Sequence, residues 1–192
     1  AIGQIGIRKA LDVLAEAAHR VSGEIDYVIV GRRYSQKTES AEFEESVFER
    51  FSQAAPGGRV HRLGYRDDVP ELLAEIDLLV HPARQEPLGR VLLEAAAAGR
   101  AILATDVGGT REILADGRSA ILVPGDDPGA LAEGLEMLAN DPAGEIQRFA
   151  CPHAVRVSAA KRLPPFGKVH LGYFDLGDLI IYQKQHDLAR PN

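Results

Sequence analysis

The stretch from His81 to Gly109, H-P-A-R-Q-E-P-L-G-R-V-L-L-E-A-A-A-A-G-R-A-I-L-A-T-D-V-G-G, places the tightest limits on the fold. One strand pattern, Asp77 to Val80, leads into it, and another, Ala101 to Ala104, follows Gly99. The residues between read as loop and then helix. Pro87 disfavours α geometry for the residue before it, so Glu86 belongs to the extended loop. A helix then begins near Leu88 or Gly89 and runs through Arg90, Glu94 and four alanines to Gly99, which ends it as a left-handed cap. Strand, loop, helix and strand in that order form the unit of an α/β sheet, and chemistry belongs in the loop.

The helix is apolar on nearly every face, which predicts burial, and its one carboxylate, Glu94, then needs a hydrogen-bonding partner. At its N-terminus, unpaired N–H groups and the positive end of the dipole suit an anion, and Gly89 permits close approach. Glu86 before that end and Glu94 on the second turn are placed to hold hydroxyls on either side of a docked phosphate. In the plainer alternative, Glu94 pairs with Arg90 and Glu86 is a solvated loop residue. Such a pair stabilises an exposed helix by only about 0.2–0.5 kcal/mol, and this helix does not read as exposed.

The pattern E-P-x-G-x4-E-A-x-A-x-G, with seven residues between Glu86 and Glu94, resembles the donor-binding signature of retaining glycosyltransferases of the GT-B type. These are the group 1, or family 4, enzymes built from two Rossmann-like domains. The resemblance implies that Glu86 contacts the hydroxyls of a donor sugar and Glu94 the ribose of its nucleotide. It also implies that the amides near Leu88, Gly89 and Arg90 face the sugar and the diphosphate. By the same resemblance Lys9 grips the diphosphate, while Gln4 stands where the family carries an arginine. Without a nearby phosphate, a lysine in a first helical turn would be disfavoured by the helix dipole. G-Y-R-D-D-V-P-E-L-L resembles the segment near the nucleobase, which makes Tyr65 and Arg66 weaker candidates for the base site.

The other segments alternate in the same way. Ala1 to Ile7 reads as a strand and Arg8 to Val21 as a helix, with Leu11, Leu14, Ala18 and Val21 at helical spacing. Gly3-Gln4-Ile5-Gly6 is no dinucleotide fingerprint, because G-x-G-x-x-G is absent. Asp26 to Val30 is a buried strand, and Glu39 to Ala54 an amphipathic helix with Phe43, Val47, Phe48 and Phe51 inward, a core stripe rather than a ligand box. Strands at Arg59 to Leu63 and Ala120 to Val123 complete the set. A glycine turn at Gly108-Gly109 leads into a short helix at Thr110, and a last helix spans Gly129 to Ala139. About six strands alternating with helices imply an α/β fold with a doubly wound parallel sheet, its ligand at the carboxyl ends of the strands. Asp67-Asp68 and Asp126-Asp127 precede helices and read as N-caps, so no metal is assigned.

Residues 1–140 form the expected nucleotide-sugar-binding domain. From Asp141 the period is lost, and the charge balance turns from −9 over residues 1–150 to +3 over residues 151–192. The segment 141–192 is therefore expected to be an atypical, flexible tail, with a short strand or helix at Tyr173 to Gln183. A net charge of −6 argues against nucleic-acid binding, and the single cysteine, Cys151, rules out an intramolecular disulfide. His153, His170 and His186 are too far apart to suggest a metal site. No signal peptide or apolar run long enough to span a bilayer is visible, so the cytoplasm, including the cytoplasmic face of a membrane, is the expected compartment.

The resemblance implies transfer of a hexose from a nucleotide diphosphate sugar to an acceptor hydroxyl with retention, using no cofactor. The alternative is a nucleotide-sugar-binding module without catalysis of its own. The chain begins without methionine and enters an apolar strand at once, so a fragment is expected; the resemblance implies a further, N-terminal domain holding an acceptor sugar or lipid, and the fragment alone should not transfer.

Overall fold

The computed structural model describes residues 1–54 and 59–140, together with two short strands, β6 (His170–Leu171) and β7 (Tyr182–Gln183), which pair antiparallel. The expected domain boundary at 140 and the tail beyond it lie otherwise outside the described residues. All pairing between β1 and β5 is parallel. β1 (Tyr27–Val30) pairs with β2 (Val60–Gly64), and β3 (Leu78–His81), β4 (Ala101–Thr105) and β5 (Ile121–Val123) follow side by side. The helices are α1 (Leu11–Ala18), α2 (Thr38–Ala54), α3 (Val69–Glu75), α4 (Arg90–Ala97), α5 (Thr110–Ile113) and α6 (Pro128–Ala139).

The α/β class is as the alternating pattern predicts, but the pairing forms two parallel sheets, of two and three strands, rather than one sheet of about six. The difference lies at the N-terminus. Ala1 to Ile5 follows β1 through a bridge between Ile2 and Val30 and through Gly3 N–H to Val30 C=O at 2.9 Å and Ile5 N–H to Arg32 C=O at 3.1 Å. Gly3 and Gly31, both at positive φ, let these two chains approach so closely that a Cβ on Gly31 would lie 1.7 Å from the Gly3 carbonyl oxygen. A chain kinked by glycine at that point makes a bridge instead of a regular strand.

Side chains of β3 and β4 alternate between two cores, as the two-residue period of a strand requires. Leu79, Ile102 and Ala104 pack with Leu73, Leu92, Ala95 and Leu114 from α3, α4 and the end of α5. Val80 and Leu103 face the other way, onto Leu14, Val47, Phe51, Leu131 and Leu135 from α1, α2 and α6. Helices thus cover both faces, and the loops after each strand gather at one end.

The predicted helix from Arg8 to Val21 is shorter and broken. Ile7–Lys9 forms a separate 3-10 turn, Ala10 takes a left-handed conformation, and α1 starts only at Leu11. Lys9 therefore lies on the turn before the helix, not in its first turn. The cap expectations divide likewise. Asp127 caps α6, accepting from Gly129 N–H at 3.0 Å and Ala130 N–H at 2.9 Å. Asp68 gives α3 no side-chain cap, because Arg66 holds it at 2.8 and 2.5 Å. In α2 the phenylalanine stripe faces inward as predicted. Glu44 is buried beside it, paired with Arg33 at 2.9 Å and with Arg62, whose guanidinium lies 4.2 Å from the Phe48 ring centroid.

Candidate functional site

Three loops converge at the carboxyl end of β3. The first runs from His81, the last residue of β3, to Gly89, which takes the left-handed conformation at the N-cap of α4. The second is the Ile7–Lys9 turn, whose Arg8 carbonyl accepts from Arg84 N–H at 2.8 Å. The third is the glycine turn after β4, where Gly109 N–H donates to the Glu86 carbonyl at 2.9 Å. A Cβ on Gly108 would lie 2.2 Å from that same carbonyl oxygen, and one on Gly109 would lie 2.7 Å from the Pro87 oxygen. Glycine at both positions lets the turn press directly against the Glu86 backbone.

Glu86 is only 7% exposed, and its carboxylate is surrounded by donors. Oε1 accepts from Gly89 N–H at 2.8 Å and from Leu88 N–H at 3.4 Å, while Oε2 lies 2.7 Å from His81 Nε2 and is bonded to Lys9 Nζ. The contact with His81, then those with Lys9 and the Gly89 amide, outweigh burial and hold the Glu86 carboxyl well below the usual carboxylate range. His81 is 2% exposed, and burial pushes its imidazole below its ordinary value more than Glu86 raises it. The ring is therefore neutral at pH 7. An ionised carboxylate only accepts, so the proton of that ring sits on Nε2.

Glu94, four residues into α4, is half-buried and makes no hydrogen bond or ion pair with another described residue. Burial raises its pKa and Arg90 opposes this through charge alone. α4 itself is buried along Leu92, Ala95 and Ala96 and only half-covered at Val91, Leu93 and Glu94. The fully buried helix that its composition predicts is thus one with an open side. That open side removes the need for a protein partner on Glu94, since solvent reaches it.

A cleft of about 450 Å³ opens beside the Ile7–Lys9 turn, with Gln4, Lys9, Gln85 and Pro87 among its lining residues, and extends to Glu39 and Phe43 of α2. Gln4 and Lys9 share this cleft with the two neighbours of Glu86. Tyr65 and Arg66 do not line it. Tyr65 is exposed with the Arg32 guanidinium 4.9 Å from its ring centroid, and Arg66 is engaged by Asp68.

The sequence profile described as Glycosyl transferases group 1 matches residues 1–141. The chain belongs to this family. Among its relatives, alpha-maltose-1-phosphate synthase of Mycolicibacterium smegmatis is 34% identical over 148 residues, covering 73% of this chain and 38% of that protein. D-inositol 3-phosphate glycosyltransferase of Streptomyces avermitilis is 46% identical over 79 residues, 40% of this chain and 17% of that one. Lipopolysaccharide glucosyltransferase WaaG of Escherichia coli is 32% identical over 121 residues, 63% and 30% of the two. The alignments thus span 38% or less of the length of these relatives. In fold, the Anabaena protein Alr3699/HepE, solved in complex with UDP and glucose, superposes with a TM-score of 0.71 at 21% identity, over 82% of this chain and 42% of that one. The C-terminal domain of the group 1 protein LpcC from Francisella tularensis superposes at 0.67 with 20% identity, over 83% of each chain.

In this glycosyltransferase domain the fold brings Lys9, Glu86, Leu88 and Gly89 into direct contact, sets Gln4 in the adjoining cleft, and leaves Arg90 and Glu94 on α4. Two participants were not evident in the sequence. His81 stands five residues before Glu86 at the end of a strand pattern, a position from which its side chain can reach back under the loop. Arg84 makes a forked bond to Asp12 at 2.9 and 2.8 Å, donates to the Ile7 carbonyl at 2.9 Å and reaches Asp126 at 2.5 Å. Nothing in local spacing links residue 84 to residues 7, 12 and 126.

Proposed function

We propose that this chain is the donor-binding domain of a retaining glycosyltransferase, which moves a hexose from a nucleotide diphosphate sugar to an acceptor hydroxyl. The observation that carries the reading is the meeting of Lys9, the Glu86 carboxylate and the N-terminus of α4 at one strand end. A diphosphate docked there faces the Lys9 ammonium and the Arg90 and Val91 amides, since the Leu88 and Gly89 amides already donate to Glu86 and the Leu92 amide to the Gly89 carbonyl. As the bond from the anomeric carbon to the diphosphate oxygen breaks, negative charge collects on the leaving phosphate. Lys9 and those amides oppose it, and a preorganised site of this kind lowers the barrier because it need not reorganise.

Glu86 is held rigidly enough to orient sugar hydroxyls, so that the acceptor arrives on the face the leaving group vacates. The half-buried carboxylate of Glu94, which no other described residue pairs with, suits a ribose diol. Transfer of a hexose is in keeping with the glucosyltransferase name of the Escherichia coli relative, and retention with the motif around Glu86 and Glu94.

The acceptor, a sugar or a lipid, is assigned to a second domain outside this chain. Proximity and orientation contribute about 7–11 kcal/mol to a two-substrate reaction, and a donor half supplies them for one substrate only. The chain alone should bind donor and not transfer. Calorimetric titration with UDP-, GDP- and ADP-sugars tests the reading. Selective binding of one nucleotide sugar is expected, and no binding of any would overturn it.

A further inference from the structure

A carboxylate offers about four acceptor sites, and every one on Glu86 is occupied: by the Gly89 and Leu88 amides on Oε1 and by His81 and Lys9 on Oε2. If Glu86 is to take a sugar hydroxyl, one donor must leave. The two amides belong to the backbone at the start of α4 and cannot leave without unwinding its cap. Lys9 can leave: its side chain is 28% exposed, its stem has four rotatable bonds, and it borders the open cleft.

His81 cannot. Its side chain is 3% exposed and it sits at the end of β3, paired in register with Ala104 of β4. The next turn of chain is fastened by Thr105 Oγ1 donating to the Ala83 carbonyl at 2.5 Å. The ring has neither the space nor the backbone freedom to swing away.

We infer that His81 is the positioning residue for Glu86, its buried ring holding Oε2 through Nε2 while Lys9 turns to the diphosphate and frees one acceptor site for a donor hydroxyl. This rests on the proposed reading of Glu86 as the sugar contact. With Lys9 gone, a nearly buried carboxylate that kept only amides on Oε1 would be free to rotate about its last bond. His81 fixes the plane of the carboxylate and so the direction of the free lone pair. It touches no substrate atom and acts only through Glu86.

The test compares His81→Leu with His81→Gln, whose amide nitrogen can stand where Nε2 stands, in titrations of the whole chain with UDP-glucose against UDP and GDP-mannose against GDP. Loss of one hydrogen bond to a charged group should lower affinity for the bound nucleotide sugar about tenfold in His81→Leu, with little change for its parent diphosphate. His81→Gln should restore most of the loss. A folded His81→Leu that keeps the wild-type preference for the nucleotide sugar, or a His81→Gln as weak as the leucine variant, would overturn the inference.

Wild-type protein carries an independent arm: ¹⁵N spectra at pH 7 should report a His81 ring with a proton on Nε2, and a ring protonated on Nδ1 alone would also overturn it. If no nucleotide sugar binds the wild type, the function proposed above fails. The His81–Glu86 link is then still tested by ¹³C titration of the Glu86 carboxyl, which should move to higher pH in His81→Leu but not in His81→Gln. No movement would reject the link.

Discussion

Gly108 lies against the main chain of Glu86 so closely that a single methyl group at residue 108 would come within 2.2 Å of the Glu86 carbonyl oxygen, the same oxygen that accepts from Gly109 N–H at 2.9 Å. Its φ of +54° adds a second demand for glycine. Gly108→Ala must therefore displace backbone rather than a side-chain tip, with a left-handed penalty of about 1–2 kcal/mol in addition. Urea unfolding should show a loss of at least that size, and affinity for a nucleotide sugar should fall with it. Wild-type values in both measurements would mean that the turn yields without disturbing the loop.

The two glutamates should separate by ligand. Glu86→Ala is expected to weaken binding of a nucleotide sugar by roughly 1.5–3 kcal/mol while sparing the nucleoside diphosphate, the range for a hydrogen bond to a charged group. Glu94→Ala should weaken both ligands alike, because a ribose contact is common to them. Calorimetry with the two ligands on each variant reads the pattern directly.

Lys9→Ala should lower affinity for diphosphates and flatten the salt dependence of what remains, since a charge-assisted contact near the surface is screened. The same substitution removes the cation that pairs with Glu86. Titrations at two ionic strengths distinguish loss of that charge from a general loss of fold.

Acid stability should depend on Glu86. Its folded pKa lies below the ordinary value, so it contributes stability that is present above about pH 4.3 and lost as pH falls toward the depressed folded pKa. Glu94 has the opposite sign. Its pKa is raised by burial, so stability falls as pH rises from the ordinary glutamate value through the raised one. Urea midpoints across the acid range should fall less steeply in Glu86→Gln than in wild type, whereas Glu94→Gln should remove the fall on the alkaline side of that window.

Arg84 joins the Lys9 turn to the Glu86 loop through its fork on Asp12 and its bond to the Ile7 carbonyl. Arg84→Ala leaves the half-buried Asp12 without its cation, and a loss of about 1.5–3 kcal/mol is expected for bonds of this charge-assisted kind. Arg84→Lys should recover little, because an ammonium cannot reproduce the planar fork. Chemical denaturation of the three proteins measures it, and full recovery by lysine would show that charge rather than geometry holds the turn.

The sequence by itself determined the α/β class, the place of β1 to β5 and of α2, α4 and α6, and the loop position of Glu86. Those features follow from short-range rules: the two-residue and 3.6-residue periods of apolar side chains, the effect of Pro87 on the residue before it, and the glycines at helix ends. It also marked Lys9, Glu86 and Glu94 as chemically interesting, through their residue types and their resemblance to a family motif. Tertiary structure alone decided which groups meet. The N-terminal segment meets β1 by a bridge, with Gly3 pressed against Gly31, and not by a regular strand, and the close approach of two distant glycines is invisible to periodicity. The reach of Lys9 to Glu86 and of Arg84 to Asp12 and Asp126 is likewise a long-range fact, while the break at Ala10 and the buried ring of His81 beside Glu86 involve near neighbours in the chain that only packing orients. In both cases the outcome depends on how packed strands and helices meet at one end of the sheet, where a side chain's partner is set by its neighbours in space.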